Sequence, residues 1–402
     1  MKNKDIEAQV DRILDRGVLS QFFPTKQEFR DQLLSGKKMR FYMGFDPTAK
    51  SLHLGHAQGL MVLEDLRNLG HEVIFLIGDF TGMIGDPTDK SSARVKQTPE
   101  QVQENFALWK DQVKNIADFD DKENPFQIRY NSAWLGKLNF AEALELASNF
   151  TVQQMLERDM FDKRIQEERP IYLHEFLYPL MQGYDSVAMD VDVELCGTDQ
   201  IFNALAGRTL MQKLKGKDKF VIATTLIADE KTGTLMSKSN STGVFLDLSA
   251  QDLFGAIMAQ SDGMLRPLFV GCTRIDMEKV EEYMQMENPR DAKILLAHEL
   301  VRIFHGEDAA QKAQEYFINT FSKKEIPEDV QECACSVLMS LVDYMVSCGG
   351  AESKGDARRK IAQGGVSIDG EKVTDSNCVL TADDNGKVMK IGKHFFVKII
   401  VK

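Results

Sequence analysis

The chain has 402 residues, 43% of them hydrophobic and 27% charged, which suits two or three domains of an ordinary globular protein. Its net charge of −12 argues against general attraction to nucleic acid. The start is charged and amphipathic, and we find no run of about 20 apolar residues. We therefore expect neither a signal peptide nor a membrane span, and a cytoplasmic protein.

The first elements form an alternating pattern of strand and helix. Hydrophobic side chains alternate over residues 39–46, which indicates a strand. After a turn, leucines three apart indicate a helix that ends near Gly70, and the apolar run 73–77 indicates a second strand. This order predicts a parallel α/β unit with a right-handed crossover. A later strand is predicted at 220–223, after a helical stretch over 200–213.

The C-terminal third has a different texture. Residues 250–328 carry Leu, Met, Glu and Lys at helical spacing. After Gly349 and Gly350 we expect a short basic helix, a hairpin with its turn at Asp369-Gly370, and a terminal strand. Residues 352–402 hold 10 Lys and Arg against 7 Asp and Glu, a net +3, whereas the rest of the chain carries −15. This asymmetry predicts local contact with a polyanion.

The six cysteines do not predict a metal or disulfide framework. No CxxC pair occurs, and Cys333-Ala-Cys335 has no second half. We therefore expect reduced, packed or inert thiols.

The tetrapeptide His53-Leu54-Gly55-His56 lies between a predicted strand and a predicted helix. A helix start offers free N–H groups and a positive dipole end to an anion, and Gly55 would let a nucleotide approach the backbone closely. A metal site would need further ligands, which no other His or Cys cluster supplies. Alone, the motif leaves phosphate contacts about as plausible as packed or surface histidines.

Two further stretches suggest ligand contacts. In TGTLMSKSNST, residues 232–242, Lys238 could close over a polyphosphate, although a solvated linker is the better interpretation of this segment alone. Tyr178, Gln182 and Asp185 are spaced four and three apart, so they share one face of an otherwise apolar helix. Such a polar stripe must be satisfied, either by a buried hydrogen-bond network or by a ligand.

In combination, the two short motifs resemble the paired signatures of class I aminoacyl-tRNA synthetases. The chain is similar to tyrosyl-tRNA synthetases of the bacterial type over most of its length. The segments that carry the resemblance are, in order, FYMGFDPTAKSLHLGHA, GDFTGMIGDPTDKSSAR, NSAWL, FLYPLMQGYDS, GTDQIFN and LMSKS. The tail SKGDARRKIAQGGVSIDGEKV resembles an S4-type RNA-binding module.

The resemblance implies an α/β fold in three parts. A Rossmann-like parallel-sheet catalytic domain, with the LMSKS loop, is expected at residues 1–245. An α-helical anticodon-binding domain follows at 246–335, and a small α+β S4-like domain at 336–402. A homodimer is also implied.

The resemblance assigns a tyrosine site and an ATP site. Tyr42 and Asp185 match positions that hold the substrate hydroxyl, and Gln200 matches one near the reacting carbonyl. The ammonium positions are Asp86, Tyr178 and Gln182. In isolation, Tyr42 would be an ordinary strand aromatic and Asp86 a turn former before Pro87.

The catalytic positions are His53, His56, Thr48, Lys90, Arg94 and Lys238. The other ATP positions are Gly44, Asp46, Gly55, Gly197 and Asp199. Mg²⁺ is expected on the ATP phosphates, with no metal site on the protein. RNA contacts are expected at Arg358, Arg359, Lys360 and Lys372.

The sequence departs from the family pattern at three positions. Leu235 stands where the family usually has the first lysine of the LMSKS signature, so one cation is lost. Cys196 replaces a common glycine, and Glu194 stands where some relatives have glutamine.

The implied activity has two steps. The carboxylate of L-tyrosine attacks the α-phosphate of ATP, giving tyrosyl-adenylate and pyrophosphate, and the tyrosyl group then passes to the terminal adenosine of tRNA-Tyr. The rival interpretations are a tryptophanyl enzyme, a nucleotidyltransferase with an HxGH site, and an RNA-binding protein derived from a synthetase. Tyr42 with Asp185 and the S4-like tail favour tyrosine, and the intact site residues favour an enzyme.

Overall fold

A computed structural model describes residues 2–87, 97–236, 242–322, 330–392 and 395–402. The chain divides into two compact units, Met1–Ala313 and Gln314–Lys402. Within the described residues, we find no helix that is both long and apolar enough to span a membrane. Three of the expected phosphate-binding cations, Lys90, Arg94 and Lys238, lie outside the described residues.

The first unit is built on a six-stranded sheet. Its strands are β1 (Leu19–Phe23), β2 (Arg40–Phe45), β3 (Glu72–Ile77), β4 (Gln127–Tyr130), β5 (Val193–Gly197) and β6 (Phe220–Thr224). The strand order is β1-β6-β5-β2-β3-β4, with β1 antiparallel to β6 and the other pairs parallel. The predicted strands at 39–46, 73–77 and 220–223 are therefore confirmed, and so is the parallel α/β class.

Helices surround this sheet and continue past it. They are α1 (Lys2–Asp15), α2 (Lys26–Leu34), α3 (Leu54–Asn68), α4 (Thr81–Ile84), α5 (Pro99–Phe106), α6 (Trp109–Val113), α7 (Ser132–Leu135), α8 (Phe140–Ala147), α9 (Val152–Leu156), α10 (Asp159–Gln166), α11 (Leu173–Met189), α12 (Ile201–Lys215), α13 (Ala250–Met258), α14 (Leu265–Cys272), α15 (Met277–Met284), α16 (Pro289–His305) and α17 (Glu307–Phe317). Residues 73–77 of β3 are all buried, because elements cover both faces of the parallel sheet. Gly70, at φ 95°, ends the α3 segment as its position predicts.

The helical segment after β6 ends earlier than the expected domain boundary. Helices α13 to α17 confirm the helical pattern as far as Phe317, and a π-helical turn follows at Ile318–Ser322. Strand β7 (Gln331–Cys335) then pairs in parallel with β11 (Phe395–Val401), from Gln331–Val397 to Cys335–Val401. The expected boundary after residue 335 would assign this strand to the helical domain, whereas its backbone hydrogen bonds join it to the C-terminal sheet.

The second unit is a small α+β arrangement. Its remaining elements are α18 (Leu341–Ser347), α19 (Lys354–Ala362), β8 (Val366–Ile368), β9 (Glu371–Lys372) and β10 (Val388–Ile391). The sheet order is β7-β11-β10-β8-β9. The β8–β9 hairpin turns at Asp369 and Gly370, whose φ values of 47° and 88° suit a tight hairpin turn, as predicted.

Candidate active site

The site residues gather at the carboxyl ends of β2 and β5. From β2, the chain continues outward through β3 and β4 on one side, whereas β5 and β6 lie on the other. The connections therefore reverse direction between β2 and β5, where an open parallel sheet leaves a crevice for ligands. Asp46 and Thr48 follow the end of β2, and Asp199 and Gln200 follow the end of β5.

The two histidines form a hydrogen-bonded pair at the start of α3. His53 is the N-cap, and its side chain accepts the backbone N–H of Gly55 through Nδ1, at 3.1 Å. The Nδ1 atom of His56 accepts the backbone N–H of His53, also at 3.1 Å. The ring centroids are 3.8 Å apart. Both side chains thus serve the capping of the helix, in a reciprocal arrangement that fixes their rings.

The environment keeps both imidazoles neutral. Burial lowers the pKa of His53 to about 4. Burial, with the neighbouring His53 adding to it, holds the pKa of His56 well below its ordinary value. Because each Nδ1 accepts an N–H bond, the single ring proton must lie on Nε2. Each ring can therefore donate one hydrogen bond from Nε2, as a phosphate contact requires.

The lack of a side chain at Gly55 also has a local structural role, beside the expected close approach of a nucleotide. A Cβ at this position would lie 2.9 Å from Cε1 and 3.0 Å from Nδ1 of His53. The absent side chain therefore leaves room for the His53 ring against the helix start. A substitution here would displace the imidazole before it affected any ligand.

The segment after the LMSKS stretch pairs directly with the first signature. Leu54 N–H donates to the carbonyl of Val244 at 3.0 Å, and Leu246 N–H donates to the carbonyl of Leu52 at 2.9 Å. His53 and Phe245 form the β-bridge between these bonds. The segment that follows the second signature, almost 200 residues further along the chain, therefore meets the first signature at one edge of the site.

Leu235 lies at the base of the second signature. It forms a β-bridge with Ala228, and its carbonyl accepts the hydroxyl of Thr242 at 2.8 Å. Its side chain is 41% exposed. The departure from lysine thus occurs at an exposed position on an ordered turn, where a longer side chain has room.

A cavity of about 740 Å³ opens beside Thr48. The segment containing Phe245 and Asp247 lines another side of it. Asn105 of helix α5 donates to the carbonyl of Pro47 at 2.8 Å, and Gln112 of helix α6 donates to that of Lys50 at 3.0 Å, so these two side chains hold the Thr48 loop. The volume is within the range of small-molecule sites.

Helix α11 delivers the predicted polar face. Tyr178 and Asp185 are buried and Gln182 is partly buried, so the predicted four-and-three spacing is confirmed as one helix. The Tyr178 hydroxyl donates to Oδ2 of Asp46 at 2.8 Å. Oδ1 of Asp46 accepts the hydroxyl of Thr81 at 2.7 Å. Asp46, which the resemblance places on the ATP side, is thereby tied to a tyrosine-side residue.

Gln200 links two other expected groups. Its Nε2 donates to Asp86 Oδ2 at 2.7 Å and to Asp199 Oδ2 at 3.2 Å, while its Oε1 accepts from Asn203 at 2.8 Å. The amide orientation is fixed, because the carboxylates only accept and the Asn203 amide nitrogen donates. Expected ammonium and ribose positions are therefore in contact through one side chain.

A buried arginine accompanies Asp86. Arg158 Nη2 lies 4.0 Å from Asp86 Oδ1, and the Arg158 side chain is only 4% exposed. Its guanidinium packs over the rings of Phe161 and Phe202 at 5.7 and 5.1 Å. Charge and aromatic faces together stabilise this cation beside the site.

The expected phenol-binding positions, Tyr42 and Asp185, have partners that the sequence did not indicate. The Tyr42 hydroxyl and Ser186 Oγ are 2.8 Å apart. The Asp185 carboxylate accepts from Trp134 Nε1 at 2.7 Å and from Asn131 Nδ2 at 3.3 Å. Tyr42 and Asp185 are therefore each held by a side chain of the protein rather than by one another.

Burial dominates the electrostatics of these groups. It raises the pKa of Tyr42 well above the ordinary value, with Glu194 and then Asp185 adding to the effect. It also raises the pKa of Tyr178, with the Asp46 charge next in size. The pKa of the Asp185 carboxyl is raised by burial, and the bonds from Trp134 and Asn131 oppose that rise. Both phenols thus remain protonated donors.

Several residues of the polar cluster were missed by sequence reasoning. Asn131 and Trp134 lie in the segment NSAWL, which carried the resemblance without a role. Ser186 and Lys219 had no signal, since neither belongs to a motif or to a polar stripe. They are found only when the fold brings β5, α11 and the residue before β6 together.

Gly44 and Gly197 differ in the space that a Cβ atom would find at each position. A Cβ on Gly197 would overlap Oδ1 of Asp199, so only glycine allows that carboxylate its place. On the exposed Gly44, the nearest atom to a Cβ would be a Leu76 methyl at 3.6 Å, an ordinary contact.

The expected RNA-binding residues lie in the second unit. Arg358 and Arg359 are exposed on α19, and Lys360 and Lys372 complete the set. A Cβ on Gly364, just after α19, would lie 3.9 Å from Lys372 Nζ, so Lys372 reaches the end of that helix. Arg359 and Lys360 both pair with Asp356, at 2.5 and 2.9 Å. The four side chains therefore belong to one local region.

Within the part of the chain that is described, we find no group of three His, Cys, Asp or Glu side chains arranged to hold a metal ion. The histidine pair has no carboxylate or thiolate completing such a group among these residues. Its Nδ1 atoms are moreover occupied by backbone N–H groups.

Comparisons with known proteins agree over nearly the whole chain. The family model "tRNA synthetases class I (W and Y)" matches residues 34–322, and "Tyrosine--tRNA ligase SYY-like C-terminal domain" matches 322–397. The tyrosine--tRNA ligase of Thermotoga maritima is 40% identical over 399 residues, 98% of this chain and 97% of the relative. That of Idiomarina loihiensis is 42% identical over 381 residues, 93% and 94% of the two chains.

Solved structures of lower identity share the fold. A C-terminally truncated mitochondrial tyrosyl-tRNA synthetase of Aspergillus nidulans matches 80% of this chain and 99% of its own, with a TM-score of 0.67 and 22% identity. The tyrosyl-tRNA synthetase of Archaeoglobus fulgidus, solved with L-tyrosine, matches 77% of this chain and 100% of its own, with a TM-score of 0.58 and 21% identity.

Proposed function

The chain belongs to the tyrosine--tRNA ligase family of class I tRNA synthetases, and from this premise we propose how its residues carry the reaction. The enzyme activates L-tyrosine with ATP to tyrosyl-adenylate and pyrophosphate. It then transfers tyrosine to the 3′-terminal adenosine of tRNA-Tyr. A carboxylate is already a nucleophile, so positioning and stabilisation of phosphate charge supply the catalysis.

The observation that carries the ATP assignment is the neutral histidine pair with both Nδ1 atoms occupied. His53 and His56 donate from Nε2 to the phosphates as negative charge develops. Thr48 and the α3 helix start add donors, and Lys90, Arg94 and Lys238 add positive charge. Mg²⁺ carried on the phosphates neutralises part of their charge. Gly44, Asp46, Gly55, Gly197 and Asp199 hold the rest of the nucleotide.

The tyrosine assignment uses the buried polar cluster. Tyr42 and Asp185 bind the substrate hydroxyl, and Asp86, Tyr178 and Gln182 bind its ammonium group, with Gln200 at the carbonyl. A phenylalanine in this site would leave buried polar groups without partners. Such a penalty gives strong discrimination, and tyrosyl-tRNA synthetase is the standard example of this principle.

For the transfer step, Arg358, Arg359, Lys360 and Lys372 grip the RNA backbone from the S4-like unit. The helices after residue 246 act as the anticodon-binding region. The first role rests on the resemblance and on the basic composition of residues 352–402, and the second rests on the resemblance alone. They are consistent with tRNA as the polyanion in local contact.

The enzyme works as a cytoplasmic homodimer in this proposal. Helices α8 to α11 and the residue before α11 expose large apolar side chains, including Phe140 at 79%, Val152 at 67% and Leu173 at 84%. A concentration of such side chains is typical of an interface. Sedimentation of Leu173→Asp should show more monomer than the parent chain, and an unchanged distribution would remove this face from the dimer proposal.

One experiment separates the two ends of the tyrosine site. We expect Tyr42→Phe to lower kcat/KM for tyrosine in pyrophosphate exchange and to spare phenylalanine, since only tyrosine has the hydroxyl. Asp86→Asn should lower both about equally, since both amino acids carry the ammonium group. If Tyr42→Phe also lowered kcat/KM equally for tyrosine and phenylalanine, the assignment of separate ends would be contradicted.

A further inference from the structure

A buried ion pair lies beneath the proposed tyrosine site. Lys219 Nζ contacts Glu194 Oε2, and their side chains are 0% and 2% exposed. Glu194 lies in β5, and Lys219 immediately precedes β6. Taking both charges out of water is costly, and hydrophobic side chains of similar size often serve stability as well or better. The pair therefore calls for an explanation beyond stability.

Its neighbours connect it to both ends of the tyrosine site. Lys219 Nζ donates to Ser186 Oγ at 2.8 Å, and Ser186 Oγ is 2.8 Å from the Tyr42 hydroxyl. Glu194 Oε1 accepts from Gln182 Nε2 at 2.9 Å. The pair thus contacts the partner of one expected phenol-binding residue and directly contacts one expected ammonium-binding residue.

The fold makes room for this arrangement. A Cβ on Gly207 of α12 would lie 2.6 Å from Lys219 Nζ and 3.0 Å from Ser186 Oγ. The ammonium group also lies 5.9 Å from the centre of the Tyr42 ring. Glycine on the packed face of α12 therefore admits the cation to a position where it reaches both Ser186 and Tyr42.

The positive charge on Lys219 determines the direction of its hydrogen bond to Ser186. An ammonium can only donate, so Ser186 Oγ accepts from Lys219 and has one proton left to give. That proton has two acceptors within reach, the Tyr42 oxygen at 2.8 Å and Glu194 Oε2 at 3.4 Å, and the shorter distance favours Tyr42. The Tyr42 hydroxyl then keeps its own proton for another acceptor.

The same logic applies to Gln182. A carboxylate can only accept, so the Gln182 atom at Glu194 is the amide nitrogen. The carbonyl oxygen of that amide is then left for a donor. An ammonium group offers donors alone, so this is the orientation in which Gln182 can bind it.

We propose that the Lys219–Glu194 pair fixes the hydrogen-bond polarity of the amino-acid site at both ends. Lys219, acting through Ser186, makes Tyr42 a hydrogen-bond donor to the substrate phenol oxygen. The phenol hydroxyl then donates its own hydrogen bond to Asp185. The chain of donors runs from a cation to a carboxylate, so its members strengthen one another. Lys219, Glu194 and Ser186 are positioning residues, and this inference rests on the proposed roles of Tyr42, Asp185 and Gln182.

The first test breaks the link and leaves the ion pair in place. Ser186→Ala should lower the ratio of kcat/KM for tyrosine to that for phenylalanine by about 10- to 100-fold in pyrophosphate exchange. The value for phenylalanine and the KM for ATP should stay within about twofold, because phenylalanine has no hydroxyl for Tyr42 to contact and ATP binds elsewhere. An unchanged ratio, or equal losses for both amino acids, would overturn the proposal.

The second test removes the pair and uses a double-mutant cycle. Lys219→Met with Glu194→Gln avoids the lone buried charge that a single replacement would leave. We expect the same fall in the ratio of kcat/KM for tyrosine to that for phenylalanine. Because the orientation of the Gln182 amide is no longer fixed, kcat/KM should also fall further for both amino acids. Adding Ser186→Ala should then lower the ratio no further. A further full-sized fall would show that Lys219 does not act through Ser186.

These outcomes are distinct from failure of the proposed site itself. If Tyr42→Phe leaves the ratio unchanged, the assignment of the phenol end is wrong. If Tyr42→Phe lowers it and Ser186→Ala does not, the assignment stands and the ion-pair proposal falls. Thermal unfolding of each variant confirms that the compared proteins are folded.

Discussion

The Nδ1 atom of His56 accepts the backbone N–H of His53 at 3.1 Å, so the second histidine of the signature fixes the backbone that presents the first. His53 in turn caps the helix that carries His56. The pair therefore couples helix capping to the presentation of two Nε2 donors. A substitution at either histidine affects both helix capping and donation from Nε2. Measuring stability and adenylate formation on the same variant separates the two roles.

We expect His56→Ala to slow adenylate formation by about 100-fold or more, because one preorganised donor to the phosphate is lost. Tyrosine binding should change by less than about threefold, since the ring does not contact that site's polar cluster. Pre-steady-state adenylate formation and equilibrium tyrosine binding provide the two measurements. Equal losses in both would count against a role in the transition state.

His53→Asp is the matched control for capping. Aspartate accepts N–H groups at a helix start as well as or better than histidine, but when ionised it cannot donate to phosphate. We expect near-normal thermal stability with strongly reduced adenylate formation. If this variant kept its activity, His53 would be a helix cap alone.

The buried histidines should make the folded chain sensitive to acid. The pKa of His71 is about 4 in the folded protein, against 6.5 for an exposed histidine, because its ring is buried. Between these pH values the unfolded chain binds a proton at His71 that the folded chain does not bind. The contribution of His71 to the free energy of unfolding is therefore fully present above pH 6.5 and is lost as the pH falls toward 4. His53 and His56 act in the same direction.

Urea unfolding at pH 7 and pH 5 measures this effect. The His71 contribution to the loss should be about 2 kcal/mol at pH 5. In His71→Gln, the amide oxygen can still accept the N–H of Met39, which His71 Nδ1 accepts at 3.3 Å, but the group no longer titrates. The variant should lose less stability between the two pH values. An identical loss would show that His71 is not a source of the pH dependence.

Restoring the missing cation should help the chemistry. Leu235 is 41% exposed on a bridged turn, so Leu235→Lys can place an ammonium group near the signature without disturbing a packed core. We expect faster adenylate formation, by roughly three- to tenfold, since an added cation stabilises charge on pyrophosphate. Leu235→Gln supplies the uncharged control. Equal effects of lysine and glutamine would exclude a charge contribution.

Removing the C-terminal unit should separate activation from charging. A chain that stops at residue 322 avoids leaving β7 without its partner β11. It should retain pyrophosphate exchange within about threefold and lose most charging of tRNA, because the basic contacts to the RNA backbone are gone. Unchanged charging would contradict RNA binding by this unit.

A point variant gives the finer control for this prediction. Arg358→Gln with Lys372→Gln should weaken charging and make it less sensitive to salt, since each lost phosphate contact lowers the salt dependence. Lys398→Gln removes a charge elsewhere in the unit, where Lys398 pairs with Glu332 at 2.9 Å. An equal effect of Lys398→Gln would argue against the α19 region as the contact.

The sequence predicted the elements whose pattern is local. The period of two in β2, the spacing of Tyr178, Gln182 and Asp185 on α11, and the Asp369-Gly370 turn all depend on neighbouring residues, and all were recovered. Resemblance supplied the expected ligand roles, which no periodicity contains.

The rest depends on contacts between residues far apart in the chain. Lys219 lies 25 positions from Glu194 and 33 from Ser186, and no short pattern announces a buried ammonium. The sequence of β7 alone does not predict a strand, because the strand is defined by its pairing with β11, more than 60 residues later. The proton positions on His53 and His56 follow from backbone geometry, which a sequence does not display.

Pyrophosphate exchange with each amino acid in turn measures directly which amino acid the site activates. The histidine pair and the polar cluster should give ATP–pyrophosphate exchange that depends on L-tyrosine, with phenylalanine weaker by about 10⁴-fold or more and tryptophan inactive. Charging of total tRNA with tyrosine should follow. Exchange that favoured tryptophan or another amino acid, or that occurred without any amino acid, would contradict the account.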